Sequence, residues 1–228
     1  MLLALDIGNT NIALGVFRAE ELKATWRIAT DSARMADEYG LMLSQMLELK
    51  SVPAKEVKAI ALCSVVPPLT PTFVELSEAY FGVTPLVVGS GTRTGVRILY
   101  DQPRDVGADR IVQAAAAFRF YGGPLVVVDC GTATVFDGVT AQGEYVGGAI
   151  APGLRLAAES LFTSTSQLRR VDLLAPQTAI GKNTTHAMQS GLVLGNVDLI
   201  EGMVKRFKRE LGQNAKVIGT GGLVPLIA

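Results

Sequence analysis

Asp6 stands at the end of the apolar run Leu2–Leu5, ahead of Gly8-Asn9-Thr10 and a second apolar run, Ile12–Phe17. A carboxylate at the end of a buried strand must be solvated, hydrogen-bonded or linked to a metal. The residues after it are small, with backbone N–H groups, an amide and a hydroxyl. That combination suits a phosphate with its magnesium ion: backbone donors hold the oxygens, and the carboxylate holds the cation directly or through water. In the turn itself, Gly8 permits φ > 0 and Asn9 tolerates it. Read alone, the stretch is equally a plain hairpin whose Asp6 caps its own turn. A second copy shifts the balance. Leu125–Val139 repeats the order, with Asp129, Gly131, Gly138 and Val139 each standing 123 positions after Asp6, Gly8, Gly15 and Val16. A repeat this long points to two similar domains rather than a solenoid. Two such hairpins face to face would set two phosphate loops across one cleft.

Asp109 and Arg110 form a third candidate. They follow the polar, Gly-containing stretch Gly89–Gln102 and open an Ala-rich helical run, Ile111–Phe120. The helix dipole favours an acid at that end, so Asp109 is explained as an N-terminal stabiliser. The same dipole disfavours Arg110. A base and an anion clamp at one helix start is the sharper reading. A fourth candidate, the Gly-rich turn Gly219-Thr220-Gly221-Gly222, would let a flat group such as an adenine ring approach the backbone, or would be an ordinary strand–helix turn.

The elements that must position these residues follow from pattern. In the first half the predicted order is β-β-β-α-β-α-β. It comprises the hairpin, a third strand Lys23–Ile28 and a helix Met35–Glu48 capped by Asp31 or Ser32. A strand Val57–Ser64, a helix Leu69–Phe81 and a strand Pro85–Val88 complete it. The buried stripe of the first helix is predicted to include Leu41, Leu43, Met46 and Leu47. The second half is predicted to run as a hairpin, a third strand Gly143–Ile150 and a helix to about Phe162. An irregular stretch Thr163–Gln177, a lid or interface candidate, precedes a long helix from Gly181 to Leu211 and a strand Lys216–Ile218. Gly191, Gly195 and Gly202 inside that helix point to close packing against another helix or subunit. The apolar end Pro225-Leu226-Ile227-Ala228 reads as the start of a further helix. His186 is the single histidine and is read as a helix-surface residue.

Composition narrows the classes. Of 228 residues, 49% are hydrophobic and 18% charged, enough apolar material for a sizeable core. Lys plus Arg equals Asp plus Glu at 21 each, so no basic excess points to nucleic acid and no basic block to a membrane surface. No apolar run approaches a membrane span, and Met1-Leu2-Leu3 lacks a signal peptide's basic region, so a cytoplasmic location is expected. Cys63 and Cys130 sit in apolar surroundings without metal-ligand spacing and are read as buried thiols.

Taken together, Asp6-Ile7-Gly8-Asn9-Thr10-Asn11, Val106-Gly107-Ala108-Asp109-Arg110, Asp129-Cys130-Gly131-Thr132-Ala133-Thr134, and Gly181-Lys182-Asn183-Thr184 with Met188-Gln189-Ser190-Gly191 resemble type III pantothenate kinase. The likeness covers nearly the whole chain. It implies an α/β fold of two ribonuclease-H-like domains of the acetate and sugar kinase/Hsp70/actin type, mixed sheets with a nucleotide cleft between them. The domains would span residues 1–115 and 116–228. It implies ATP-dependent phosphorylation of pantothenate, the first step toward coenzyme A. The matched positions make Asp6, Ile7, Gly8, Asn9, Thr10, Asn11, Ile12 and Ala13 the first phosphate loop, with Thr132 a further ATP contact. Asp109 matches the general base. Tyr100, Gly107, Ala108, Asp109, Arg110 and Thr184 match the substrate site. Asp129 matches a ligand for a monovalent cation, K+ or NH4+, and Asp6 would meet Mg2+ with the nucleotide. The resemblance also implies a homodimer with the substrate site near the subunit interface. In this family the position of Cys130 commonly carries Phe or another apolar residue, and a further helix usually follows the Gly-Gly turn. The rival readings are another small-molecule kinase on the same fold and a nucleotide-binding regulatory protein.

Overall fold

The computed structural model describes residues 1–227, which form two compact units: Met1–Arg93 with Gln102–Val112, and Thr94–Asp101 with the chain from Gln113 onward. Each unit is built on one mixed sheet.

In the first unit, β1 (Leu2–Ile7), β2 (Asn11–Arg18) and β3 (Glu21–Ala29) form an antiparallel meander. The crossover helices α1 (Ala36–Leu49) and α2 (Leu69–Phe81) then bring β4 (Ala59–Ser64) parallel to β1 and β5 (Leu86–Val87) parallel to β4, giving the order β3-β2-β1-β4-β5. The period of two along a strand decides the core. Leu3, Leu5 and Ile7 of β1, Ile12, Leu14 and Val16 of β2, and Ile60 and Leu62 of β4 pack with Tyr39 and Leu43 of α1 and Leu69, Phe73 and Leu76 of α2. Asp6 falls on the opposite face of β1, and Cys63 is its partner in the β1–β4 register.

The predicted elements are present, with local differences. The stripe of α1 is Ala36, Tyr39, Gly40, Leu43 and Leu47, whereas Leu41 is exposed and Met46 half-buried. Leu41 lies two residues before Leu43, about 200° round the helix, and so cannot share its face. Gly40 allows close approach to α2, since a Cβ there would stand 2.4 Å from the Tyr80 ring. The N-cap is Met35, whose N–H donates to Glu38 Oε2; Asp31 instead accepts from the Ala33 N–H, one turn upstream.

The second unit repeats the plan. β7 (Leu125–Cys130), β8 (Ala133–Val139) and β9 (Glu144–Pro152) form the meander, and β10 (Lys216–Thr220) runs parallel to β7. The order is β10-β7-β8-β9-β6, where β6 (Arg97–Ile98) is a two-residue strand on the free edge of β9. β6 lies inside the polar, Gly-containing stretch Gly89–Gln102; two residues carry no pattern, and the pairing exists because β9 offers an edge. α3 (Ala108–Tyr121) begins in the first unit and continues into the second. α4 (Leu154–Thr163) follows β9, α5 (Thr184–Leu211) precedes β10, and α6 (Val224–Ile227) is a single turn. Val126, Val128, Cys130 and Phe136 pack on Leu199, Met203, Val204 and Phe207 of α5. Asp129 therefore emerges on the other face of β7. No helix among the described residues is long and apolar enough to cross a membrane.

Candidate active site

The first hairpin turn is held from three sides. Gly8 N–H donates to the Asn11 carbonyl at 3.0 Å, the Thr30 hydroxyl donates to the Gly8 carbonyl at 2.6 Å, and Thr30 N–H donates to the Thr10 carbonyl at 3.0 Å. The turn does not use the positive φ expected of Gly8 and Asn9; neither residue has one. Glycine is required here for space, since a Cβ on Gly8 would lie 3.1 Å from the Asn11 carbonyl. Ile7 and Ile12 are buried in the sheet, Ala13 is half-buried, and Asp6, Asn9, Thr10 and Asn11 face solvent. The polar positions of this stretch are thus displayed on a rigid apolar base.

Beside it, the end of β4 presents Cys63. It is the register partner of Asp6, and burial, followed by the charges of Asp6 and Asp109, pushes its thiol far above the ordinary range. A neutral thiol thus stands in the field of both the strand-end acid and the helix-start acid. Asp109 lies in the first turn of α3, and one of its oxygens accepts the Arg110 N–H at 2.8 Å. The capping reading of Asp109 is therefore satisfied by a single oxygen. A Cβ on Gly107 would stand 2.5 Å from Asp109 Oδ1, so any side chain there would displace the oxygen that accepts the Arg110 N–H. Ala108 is buried, and Arg110 is 9% exposed, a cation kept inside. A cavity of about 630 Å³ opens at this helix start, lined by Ser64, Val65, Ser90, Arg104, Gly107 and Ala108. It lies beyond the carboxyl ends of parallel strands, where α/β sheets bind ligands.

The second unit carries the other candidates. Asp129 is half-buried at the end of β7. Gln113 Nε2 donates to Asp129 Oδ2 at 2.6 Å. Its Oδ1 is turned toward two glycines: a Cβ on Gly131 would lie 3.4 Å away, and one on Gly221 2.6 Å away. Gly221 has φ +97°, so both torsion and space demand glycine in the turn after β10. Thr132 is exposed in the second hairpin turn, and its carbonyl accepts the N–H of Gly153, the N-cap of α4. A Cβ on Gly153 would meet that carbonyl at 2.2 Å, so glycine lets the start of α4 close on the turn. A helix N-terminus at this point adds a favourable field for phosphate. A cavity of about 920 Å³ lies between α4 and the Gly-rich turn, lined by Arg155, Ala158, Arg170, Gly222, Leu223 and Leu226.

Tyr100 follows β6 and packs beside Gly147 of β9, its ring 6.3 Å from that of Tyr145. Thr184 is the first residue of α5, exposed, behind the N-cap Asn183 that accepts the His186 N–H at 2.8 Å. Neither belongs to the Asp6–Cys63–Asp109 or the Gln113–Asp129–Gly221 group. Three contributors escaped the sequence reading: Cys63, Gln113 and the Asp137–Tyr145 pair. Cys63 and Gln113 act through partners 57 and 16 positions away, which no local motif reveals. Asp137 is 1% exposed and accepts from the Tyr145 hydroxyl at 2.7 Å, a buried acid inside the second hairpin.

A family model for type III pantothenate kinase matches residues 2–206. The type III pantothenate kinase of Roseiflexus sp. strain RS-1 is 50% identical over 228 residues, covering all of this chain and 89% of that one. Two solved structures share the fold. A Campylobacter jejuni protein assigned to a Baf family of transcriptional activators matches with a TM-score of 0.59 at 20% identity, over 99% of this chain and 86% of that one. A 2-dehydro-3-deoxygalactonokinase from Sinorhizobium meliloti matches with a TM-score of 0.55 at 14% identity, over 97% and 91%. The expected acetate and sugar kinase/Hsp70/actin type of fold is the one observed.

Proposed function

Starting from the premise that the chain belongs to the type III pantothenate kinase family, we propose that it transfers the γ-phosphoryl group of ATP to the primary hydroxyl of pantothenate, with the residues grouped above in the roles that follow. It is a phosphotransferase, and phosphoryl transfer asks a protein for alignment and charge stabilisation more than for covalent chemistry. The turn Gly8-Asn9-Thr10-Asn11 presents backbone and side-chain donors to phosphate oxygens, and Thr132 does so from the second hairpin. The cavity between α4 and Gly222 receives the nucleobase, where a glycine with nothing within 4 Å of its Cβ position leaves room for a flat ring.

Among the described residues no three His, Cys, Asp or Glu side chains gather as a metal cage. One exposed carboxylate beside a phosphate turn fits magnesium, which keeps most of its waters and phosphate ligands and takes one or two carboxylates from the protein. Asp6 would hold it, and the ion would neutralise charge on the transferring group. Asp129, with its oxygen turned toward a polar backbone turn, fits a hard monovalent cation, K+ or NH4+, as its ligand.

Asp109 accepts the proton of the attacking hydroxyl. It sits in the first turn of α3, directly after Gly107 and Ala108, which line the 630 Å³ cavity. Arg110, Gly107, Ala108, Tyr100 and Thr184 bind pantothenate. The protein acts as a cytoplasmic homodimer; the open side of α5 at Gly191, Gly195 and Gly202, where an added Cβ meets nothing within 4 Å, supports packing against a second copy.

The observation that carries this reading is the match of the whole chain to the family, with Asp109 opening α3 next to Gly107 and Ala108, which line the 630 Å³ cavity. The test is ADP release from magnesium-ATP in potassium buffer, with and without pantothenate. Release that requires pantothenate supports the proposal; release indifferent to it sinks the substrate assignment.

A further inference from the structure

Gln113 lies one helical turn after Asp109 on α3, and its amide donates to Asp129. A carboxylate only accepts hydrogen bonds, so the amide must present its NH2 group to Asp129 Oδ2, and the amide cannot be flipped. The cost of that orientation falls on the other end of the amide. Gln113 Oε1 is buried and accepts no hydrogen bond among the described residues. Buried polar atoms are nearly always satisfied, so an orphaned acceptor marks a position where another requirement overrides its own pairing. The requirement visible here is the orientation of Asp129. With Oδ2 tied to α3 at 2.6 Å, Oδ1 is turned toward the backbone of Gly131 and Gly221. Gly221 leaves the space into which this oxygen points, since a Cβ there would stand 2.6 Å from it.

We infer that Gln113 is a positioning residue for the monovalent-cation ligand: it fixes one oxygen of Asp129 so that the other is presented to the cation. The inference rests on the proposed role of Asp129 and adds to it the residue that sets the carboxylate's orientation. Partners of this kind behind a metal ligand typically change cation affinity about 10–100-fold when removed.

The test uses potassium as the probe. Gln113→Leu removes the donor and the orphaned acceptor together and keeps an apolar side chain of similar bulk, so the fold survives. Its potassium half-saturation in the ADP-release assay is expected to rise about 10–100-fold. The increase in Tm that potassium chloride produces over sodium chloride in the wild type should be lost at the same concentration. At saturating potassium the KM for pantothenate stays within about twofold of the wild-type value, which a general loss of structure would not allow. Gln113→Glu supplies a second variant of the same shape. It keeps the length and shape of the side chain but has no NH2 group to give Asp129, so it too should lose the wild-type potassium response. If the wild type responds to potassium and both variants respond equally, the positioning role is wrong while that of Asp129 stands. If the wild type itself does not distinguish potassium from sodium in activity or in Tm, the Asp129 assignment fails and this inference falls with it.

Discussion

Cys63 stands beside Asp6 at the paired position on the neighbouring parallel strand, and burial, followed by the charge of that carboxylate, raises its thiol. Two features produce this placement: the parallel register of β1 and β4, and the shared face that register imposes. A thiol in this place is neutral. It adds no charge beside Asp6.

The cysteines should therefore be inert. Burial raises the Cys63 thiol, assisted by Asp6 and Asp109, and burial with the charge of Asp129 pushes Cys130 up to about 11. Both remain thiols at pH 8.5, and the thiolate is the reactive form. Iodoacetamide labelling followed by mass spectrometry should find neither modified in the native protein and both modified in denaturant; rapid native labelling of Cys63 would contradict its burial beside Asp6. The linkage has a definite sign. A thiol whose folded pKa lies above its unfolded value stabilises the fold below the unfolded pKa, and that contribution is lost as pH rises. For Cys130 the loss runs from about 9.0 to about 11. Denaturant melts at pH 8, 9 and 10 should show stability falling across this window.

Asp109→Asn should lower kcat by about 10²- to 10⁴-fold, the range of general-base help. Nucleotide affinity should be retained, because the substitution keeps the shape of the side chain and its acceptor for the Arg110 N–H. Steady-state kinetics with calorimetric titration of an ATP analogue would separate the two, and near-normal kcat would remove Asp109 from the role of base.

Asp129→Asn removes a charge from the proposed cation ligand while keeping an oxygen. Activity should then need much more potassium, or lose the difference between potassium and sodium. A full potassium response in this variant would exclude the assignment.

Gly221 and Gly222 should behave oppositely. Gly221→Ala forces a Cβ to 2.6 Å from both Asp129 Oδ1 and the Cys130 carbonyl, at φ +97°. The strain alone costs about 1–3 kcal/mol, and Tm should fall by several degrees in a chain of this size. Gly222→Ala meets nothing within 4 Å and should leave stability within about 0.5 kcal/mol of wild type. Its effect should appear as a raised KM for ATP, because the added methyl group would enter the cavity assigned to the nucleobase.

Tyr145→Phe tests the buried acid of the second hairpin. The hydroxyl donates to Asp137 Oδ1 at 2.7 Å in an environment where both residues are fully buried. Removing the donor to a buried acceptor costs about 1–3 kcal/mol. A denaturant melt should register that loss with little change in substrate KM; an unchanged midpoint would mean that Asp137 is held without Tyr145.

Local pattern made much of this protein legible. Alternation and turn chemistry located both hairpins, because a strand's period of two and the residues of a tight turn are properties of a few consecutive positions. The 123-residue repeat then implied two similar sheets, and both were found with the same three-stranded start and the same parallel fourth strand. The acids Asp6, Asp109 and Asp129 were visible because each interrupts an apolar or helical pattern at its end. Tertiary structure decided what those acids meet. Cys63 reaches Asp6 through strand register, and Gln113 reaches Asp129 by lying on α3 over β7, choices made by packing that no neighbouring residue encodes. The same cause explains the smaller misreadings. Leu41 has the composition of a core residue but the wrong angle on α1, β6 exists only because β9 offers an edge, and Gly8 serves clearance from the Asn11 carbonyl instead of a left-handed turn. Sequence alone determined which groups could carry phosphoryl chemistry, since residue type and local period are short-range. The hydrogen-bond partners, burial and orientation of those groups depend on contacts between distant segments, and only the folded chain supplies them.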